Sequence, residues 1–533
     1  MSRHERITLI ATILGSTIVF LDATVVNVAL PSISDDLSSG LAGQQWVVEA
    51  YLLSLTALLL VGGSLGDQFG RRRMFVAGLV GFGVTSGLCA IAPSDELLIG
   101  ARALQGIAGA LLVPGSLAIV ASTFDGAQRG AAVGMWTAWT GIATVIGPAG
   151  GGALIGLLSW RAIFWVNLPL VVFTVLLTLH SVDESRDPDA YRGIDWAGIG
   201  LSAAGLGGPV FALIEQPTHG WSDPLVFVPL IAGIASFAAF IVWESRAKHP
   251  MLDLSLFRIR NFSVANVTTL AAYAGLIGGL FFVGLFLQQT AGYTPLEAGL
   301  ATTPMSVIMF VLSPRLGRFA SGVGPRLPMT AGPIMGGIGL FLMLRIGADA
   351  DYVTEVLPAV LVFGLGLAAM VAPLTATVLD SVEERHVGIA SGINNGVSRV
   401  AGLLAIAVLG AVISASFASH VDQNVSTDLS TRAESSVAKA KDKPLGAART
   451  GGLEPQEATE VSAAVDDASE SAFHLAMALT GTLMIAGGLV AAVGIQNPKR
   501  GRELVAPRAA MAGDCGHDCD EPVADRGAEA VAG

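Results

Sequence analysis

The sequence predicts an all-α protein that crosses a membrane fourteen times, with its spans arranged as six, two and six. Three observations predict this fold class: the apolar residues occur in long blocks, only 14% of the 533 residues are charged, and one loop pattern occurs twice. A soluble chain would carry about 25% charged residues. Because ~20 helical residues cross the hydrocarbon core, each block of roughly 18 or more apolar residues predicts one spanning helix.

A hydropathy window of about 19 residues finds the individual spans. The first follows a basic start, which superficially resembles a signal peptide, but its apolar run is too long for a signal sequence and is interpreted as a retained span. The fourteen predicted spans are residues 7–30, 45–66, 74–92, 97–122, 131–157, 162–180, 195–214, 225–243, 264–288, 298–317, 328–346, 356–379, 388–416 and 472–495.

The distribution of Lys and Arg predicts the orientation of these spans. Most of them fall in the connections that a cytoplasmic N-terminus would place inside, and Arg161 and Arg345 are the exceptions in the short outer connections. Since positively charged loops stay on the cytoplasmic side, both termini are predicted to be inside. An even number of spans requires the same result.

A repeat divides the chain into two halves. The loop at residues 63–73, GSLGDQFGRRR, follows the second span, and a related loop at residues 317–326, GRFASGVGPR, follows the tenth. The two copies lie about 255 residues apart, as expected for transporters built from internal repeats. The predicted domains are an N-terminal six-helix bundle at 1–181, two linker helices at 182–262, a C-terminal six-helix bundle at 263–417 and 472–496, a long polar extracellular loop at 418–471 and a disordered cytoplasmic tail at 497–533.

Two polar segments leave alternatives open. The segment 418–471 is predicted to be a mobile, solvated loop, and the alternative is a short helix that caps the outer vestibule. The tail contains Cys515, His517 and Cys519, three residues of the kind that bind a soft metal, but no second ligand cluster is nearby. We therefore expect a disordered tail and no metal site.

Five sequence motifs fall on predicted spans or their connections. The loop at 63–73 combines glycines for a tight turn, an aspartate that can accept from a neighbouring helix N-terminus, and arginines suited to an anionic inner leaflet. The other four are residues 21–31, LDATVVNVALP; residues 98–110, LIGARALQGIAGA; residues 134–152, which end in GPAGGG; and residues 160–169, WRAIFWVNLP.

From about residue 7 to residue 415, the chain resembles the fourteen-helix drug:proton antiporter branch of the major facilitator superfamily. The resemblance implies the major facilitator fold and proton-coupled efflux of hydrophobic or cationic drugs, including antibiotics. It also implies a proton-coupling role for the motif at 98–110. The residues that it implies for gating and conformational change are Gly63, Asp67, Gly70, Arg71, Arg72, Gly147, Pro148, Gly151 and Gly152.

Asp22 and Arg102 are the predicted proton-coupling residues. Each is a charged residue within the outer half of an apolar span, so the two side chains can meet. An ionised carboxylate in a membrane is costly unless it is paired or faces water, and a nearby arginine favours the charged form. The alternatives are a structural hydrogen bond for Asp22 and backbone contacts for Arg102.

The substrate pocket is predicted from polar and aromatic residues at mid-depth in the spans. Glu49 has two interpretations, an interfacial carboxylate that reaches towards water or a residue that attracts cations. Large amphipathic compounds bind in apolar pockets with a few polar groups, although ordinary helix packing is the alternative for each residue. The candidates are Asn27, Glu49, Trp136, Trp139, Tyr273, Phe282, Phe286, Gln288 and Gln289.

No enzymatic function is expected, because no nucleophile–base pair or metal constellation occurs within the spans. No phosphate-binding GxxxxGK[ST] pattern occurs, so the sequence gives no indication of ATP as the energy source. The expected partners are a drug-like substrate, protons and the lipid bilayer of the cell inner membrane, without a cofactor or nucleic acid, and the chain is expected to be monomeric. The alternative functions are export of an endogenous metabolite, peptide or lipid, and a non-transporting membrane sensor.

Overall fold

Apolar blocks in the sequence form long helices in the computed structural model. The model describes residues 1–497 except 125, 187–192, 194, 248–251, 384–386, 427–428 and 449. The predicted tail motif around Cys515 lies outside the described residues.

The N-terminal half contains seven helices. The sixth predicted span is divided into a short turn of helix and a longer helix. The helices are Arg3–Leu37 (α1), Leu41–Phe69 (α2), Arg71–Ala90 (α3), Asp95–Thr123 (α4), Gly126–Leu157 (α5), Ala162–Trp165 (α6) and Asn167–Ser181 (α7).

The linker and the C-terminal half contain nine more α-helices. The two linker helices pack closely on each other, with the backbones of Gly208 and Gly233 in contact. The helices are Trp196–His219 (α8), Pro224–Arg246 (α9), Arg260–Gln289 (α10), Pro295–Val323 (α11), Arg326–Leu342 (α12), Leu357–Asp380 (α13), Val387–Asn424 (α14), Thr431–Lys441 (α15) and Pro455–Gly494 (α16).

The fold class is all-α and suited to multiple membrane crossings. Twelve helices among the described residues are long and apolar enough to cross a membrane, and thirteen if α2, which bends by 51°, counts as one span. The predicted span 131–157 falls on α5. Every predicted span overlaps a helix, while the count of fourteen stays a prediction.

The repeat is visible in the geometry of two turns. Gly70 after α2 has φ +113° and Gly324 after α11 has φ +90°, both in the left-handed region that favours glycine. The following helices begin at Arg71 and Arg326. The two loops that look alike in sequence therefore form the same kind of turn.

The polar segment 418–471 has more structure than the predicted solvated loop. Helix α14 continues to Asn424, and α16 begins at Pro455. Between them, α15 buries Ala433 and Val437. The prediction of a mobile loop was wrong for these helical stretches, because small apolar residues at helical spacing pack on the bundle even where most of their neighbours in sequence are polar.

The other predicted boundaries shift by only a few residues. Helix α10 begins at Arg260, inside the range assigned to the linker, and a 3-10 helix at Leu254–Arg258 precedes it. The linker helices α8 and α9 lie within the predicted range 182–262.

Candidate functional site

Asp22 and Arg102 form a buried ion pair in the N-terminal half. Asp22 lies on α1 and Arg102 on α4, and each side chain is 1% exposed. Arg102 Nη1 donates a hydrogen bond to Asp22 Oδ2 over 2.5 Å. The two residues singled out in the sequence are thus in direct contact.

Further partners satisfy the guanidinium of Arg102. Its Nε donates to the Val47 carbonyl oxygen at 3.0 Å, and Nη1 also donates to Gln105 Oε1 at 2.8 Å. The Tyr51 ring centroid lies 4.2 Å from Arg102 Cζ, a cation–π contact. Helix α2 can come this close to α4 because residue 106 of α4 is a glycine. A Cβ atom at Gly106 would overlap the Tyr51 carbonyl oxygen.

Two amide side chains that the sequence analysis did not select complete the site. Gln105 Nε2 and Asn167 Nδ2 each donate to Asp22 Oδ1 at 3.1 Å. Both residues are 0% exposed. A signal for Gln105 was its i+3 spacing from Arg102 on one helix, which places both side chains on the same face. For Asn167, the signal was an amide at the start of a strongly apolar helix.

Every partner of the Asp22 carboxylate is a hydrogen-bond donor. An ionised carboxylate only accepts hydrogen bonds, whereas a protonated one has an O–H that needs an acceptor. Within the described residues, the cluster therefore offers Asp22 hydrogen-bond donors alone. Asn167 Oδ1 is buried without a hydrogen-bond partner, so a turn of this amide would offer an acceptor to a protonated Asp22.

The glycine-rich loop after α2 places its charges differently from the prediction. Asp67 Oδ1 accepts from Arg71 Nε at 2.8 Å, one turn along the chain, rather than from a helix N-terminus. Glu184 takes that place, because its Oε1 accepts from the backbone N–H of Arg72 at 3.1 Å at the beginning of α3. The expected contact of Asp67 with a helix N-terminus is not made here, because a carboxylate from the segment after α7 occupies that position, and the gating role of Asp67 stays a prediction.

The glycines of α5 serve two neighbouring helices. Cβ atoms at Gly147 and Gly151 would overlap Thr24 and Val25 on α1. A Cβ at Gly152 would lie 2.7 Å from the Leu296 Cα on α11, and the Pro148 carbonyl carbon lies 2.7 Å from the Cβ position of Gly299. These contacts join the two halves at the ends of α5 and α11 that the charge distribution places outside. Gly134 has nothing within 4 Å of its Cβ position.

Helices α2 and α14 make a second contact between the halves at the same face. Gln45 Nε2 donates to the Ile406 carbonyl oxygen over 2.7 Å, close to the backbone of Gly410. Further inside, Met135 and Trp139 of α5 are exposed. Both contacts between the halves therefore lie near the helix ends that the sequence analysis predicts to be outside.

The turn after α15 bridges the same outer ends. The backbone N–H of Leu41 donates to the Asp442 carbonyl oxygen at 3.3 Å, and Lys443 Nζ donates to the Ser34 carbonyl oxygen at 3.3 Å. Leu445 is 0% exposed, and its carbonyl oxygen accepts from Thr290 Oγ1 at 2.8 Å. The alternative of a capping helix therefore describes this segment better than a free loop.

Several predicted pocket residues pack elsewhere. Phe282 and Phe286 are 0% exposed, and the Phe286 ring stacks on Phe473 of α16 at 4.1 Å between centroids. Trp136 Nε1 donates to Ser16 Oγ at 3.1 Å inside the N-terminal half. These contacts lie within one half, which is the alternative noted for every candidate, and a substrate-binding role for the three residues stays a prediction.

The remaining pocket candidates differ in burial. Glu49 is 0% exposed, so its interpretation as an interfacial carboxylate reaching towards water was wrong. Both of its carboxylate oxygens, and the Oδ1 of Asn27 and Oε1 of Gln288, are buried without a hydrogen-bond partner. Tyr273 and Gln289 are partly buried. Buried polar atoms without a hydrogen-bond partner are available to bind a substrate or a proton.

Comparisons with known proteins agree with this geometry. A sequence-family model described as Major Facilitator Superfamily matches residues 12–406. The chain is 36% identical over 416 residues to the multidrug resistance protein Stp of Mycobacterium tuberculosis, which covers 78% of this chain and 77% of that protein. It is 34% identical over 406 residues to the tetracenomycin C resistance and export protein of Streptomyces glaucescens, and this match covers 76% of this chain and 75% of that protein.

Solved structures share the fold at low sequence identity. A bacterial homologue of the human lysosomal transporter Spinster, in an inward-facing and unoccupied conformation, gives a TM-score of 0.61 at 16% identity and covers 93% of this chain and 100% of that chain. The xylose transporter XylE from E. coli, in an inward open conformation, gives 0.57 at 13% identity, covering 92% and 97%. The fold is thus that of membrane transporters.

Proposed function

The chain belongs to the major facilitator superfamily, and from that premise we propose that it is a proton-coupled antiporter that expels hydrophobic or cationic drugs, including antibiotics, across the cytoplasmic membrane. The observation that carries the proposal is the buried Asp22–Arg102 pair. Two of the relatives are named for drug resistance, and one of these also for export, which supports efflux as the direction.

The first step of the mechanism is proton release in the inward-facing state. All the partners of Asp22 in the described part of the chain are hydrogen-bond donors, and we assign proton release to this state. When Asp22 is protonated, Arg102 keeps its charge in a buried place without a counter-ion, which costs several kcal/mol. A difference in this cost between the two conformers is the free energy by which protonation shifts their equilibrium.

The second step is the change of access. Contacts at the outer ends, Gly152 with Leu296 and Gln45 with Ile406, must break for the cavity to open outside. After substrate release, Asp22 takes up a proton on the outer side, and the return of the protein carries this proton to the inner side, where it is released. A potential of 100 mV supplies ~2.3 kcal/mol for each charge moved, in addition to any pH gradient.

Substrate binding is assigned to the polar atoms that have no partner in the described part of the chain. Glu49 would attract a cationic group, and the Asn27 and Gln288 carbonyl oxygens would accept hydrogen bonds. No charged residue occurs in α10 after Arg260, so the C-terminal half contributes an apolar surface on this helix.

The orientation in the membrane follows from charge. We place both termini in the cytoplasm because Lys and Arg concentrate in the connections on that side. Arg161, an exception in an outer connection, pairs with Asp36, with Nη1 to Oδ2 at 2.5 Å. This pair offsets the charge, so Arg161 is compatible with an outer position.

Ethidium efflux from energised cells tests the proposal. Cells that carry the parent protein should accumulate less ethidium, and both a protonophore and Asp22→Asn should remove that effect. Efflux by Asp22→Asn equal to the parent would place the proton site elsewhere. No efflux by the parent would reject drug export while leaving the fold as described.

A further inference from the structure

The two linker helices enclose a cavity on one side of the molecule. It has a volume of about 610 Å³ and lies between α2, α8, α9, α10 and α14. We call it the seam cavity. Its lining residues are Thr56, Ala57, Leu59, Ser202, Leu206, Phe237, Phe240, Ile241, Leu252, Leu254, Phe257, Asn266, Val267, Leu270, Gly392, Ile393, Gly396, Val397, Val400 and Leu404.

The lining defines the chemistry of a ligand. None of these residues is charged, and most are aliphatic or aromatic. Small-molecule sites typically have ~300–1,000 Å³ and an apolar wall with a few polar groups. Here Thr56 Oγ1 is buried without a hydrogen-bond partner. The site therefore suits an uncharged, apolar molecule with one hydrogen-bonding group.

The cavity is a wedge between the two halves. Gln45 of α2 contacts Ile406 of α14 at the outer face. Thr56 lies eleven residues further along α2, which is ~16 Å further inside at 1.5 Å per residue. There the seam cavity separates α2 from Gly396 and Val400 of α14.

Helix α8 closes the outer end of the wedge. Its Val210 and Ile214 pack with Leu403 of α14 and Leu53 of α2, whereas Ser202 and Leu206, one to two turns further inside, line the cavity. The linker hairpin is thus a wall of the seam cavity.

The rim of the cavity reaches the lipid-facing surface between α9 and α10. Phe237 is 43% exposed and Phe257 is 36% exposed, and on α10 Val267 is 49% and Leu270 is 41% exposed. These four residues give an apolar compound dissolved in the bilayer an apolar path into the cavity.

We propose that the seam cavity is the entry site for uncharged, apolar transport substrates, which reach it from the inner part of the bilayer between α9 and α10. This inference rests on the proposed efflux function. Because rocking of the halves brings their inner ends together, an occupant must leave in each cycle. A substrate in transit meets this requirement, whereas a permanently bound lipid would hold the wedge open.

Gly396 provides the test, because nothing lies within 4 Å of its Cβ position. Gly396→Leu fills the cavity without a clash at Cβ. Gly200 on α8 is the matched control, since its Cβ position is equally open and it does not line the cavity. The probe is Nile red, an uncharged dye, whose fluorescence reports binding to the purified full-length protein and whose efflux is followed in cells.

The expected result is that Gly396→Leu weakens Nile red binding about tenfold, while Gly200→Leu changes it by less than about twofold. Nile red efflux should fall in parallel. Thr56→Val, which keeps the side-chain shape, should weaken Nile red binding about threefold. If Gly396→Leu unfolds at a lower temperature than the parent, the binding measured for Thr56→Val tests the proposal instead.

Wild-type binding by Gly396→Leu and by Thr56→Val would overturn the proposal. Displacement of Nile red by added phospholipid, with unchanged Nile red efflux in Gly396→Leu, would also overturn it in favour of a resident lipid. If the parent exports neither Nile red nor ethidium, the efflux function fails, and the binding comparison separately decides whether the cavity takes such molecules.

Discussion

The two halves share their turns but not their chemistry. Gly70 and Gly324 end corresponding helices with positive φ, so the repeat preserves the backbone. In the N-terminal half, Asp22 and Arg102 form an ionic cluster. In the C-terminal half, Asn394 Nδ2 donates to Thr269 Oγ1 at 2.8 Å and to Asn266 Oδ1 at 3.2 Å, a neutral cluster. The difference is the reason why we assign the proposed proton coupling to the N-terminal half.

The largest expected effect comes from removing the charge of Asp22. Asp22→Asn should abolish energised efflux, because the amide has no proton to exchange and places an NH2 group against at least one of the donors that surround Asp22. Asp36→Asn, the same substitution near the end of the same helix where Asp36 contacts Arg161, is the matched control. Drug accumulation in energised cells measures both variants. Uphill efflux by Asp22→Asn would break the comparison between the halves.

Breaking the ion pair from the arginine side should mainly reduce stability. Arg102→Met leaves the Asp22 carboxylate buried without its cation, which costs about 3–5 kcal/mol. The double variant Asp22→Asn with Arg102→Met should unfold at a higher temperature than Arg102→Met alone. Thermal unfolding of the detergent-solubilised protein measures this coupling, and additive effects of the two substitutions would speak against it.

The rate of efflux should depend on the size of the residue at position 152, where α5 contacts α11. Gly152→Leu places its Cβ against Leu296 of α11, whereas Gly156→Leu, one turn further along α5, meets nothing within 4 Å. Only the first should lower the efflux rate, by about tenfold if the closed contact loses ~1.4 kcal/mol. Equal rates for the two variants would show that the contact between α5 and α11 does not limit transport.

Equivalent substitutions of two amide side chains, one in each half, sharpen the comparison. Asn167→Leu and Asn394→Leu should each cost about 1–3 kcal/mol of stability, since both remove hydrogen bonds to buried partners. Only Asn167→Leu should reduce drug-driven proton release, because Asn167 contacts Asp22. Proteoliposomes with an entrapped pH dye measure this release. An equal loss in both variants would mean that the C-terminal half also takes part in coupling.

The smallest effect is expected from a substitution in the turn after α15. Lys443 is partly exposed, and its ion pair with Asp35 spans 3.6 Å. Pairs near the surface contribute about 0–1 kcal/mol, so Lys443→Ala should shift thermal unfolding by little and leave efflux near the parent rate. A large loss of efflux would make the turn after α15 a controlling element.

The sequence predicted the fold and the central ion pair because each depends on a local signal. Apolar blocks mark the helices, and Asp22 and Arg102 are conspicuous as charges within apolar spans. Asn167 and Gln105 were missed because neutral amides are common in helices and only three-dimensional contact gives them a role. Glu184 was missed because its contact with the beginning of α3 depends on the three-dimensional fold and has no local signal in the sequence.

Long-range packing explains the other differences. Phe286 is of a residue type common in substrate pockets, but its ring stacks on Phe473 of α16, a helix that begins more than 160 residues later. The seam cavity has no sequence signal, since it is the space left between five helices. Helix α15 was predicted only as an alternative because its buried residues are small.

The most direct test of the central claim is drug-driven proton movement in proteoliposomes that contain the purified parent or Asp22→Asn. With the parent, a drug gradient directed across the membrane should drive protons in the opposite direction, and the pH dye should report it. With Asp22→Asn, the drug should move down its gradient without a proton signal. A proton signal of equal size in both proteins would contradict the assignment of coupling to the Asp22–Arg102 pair.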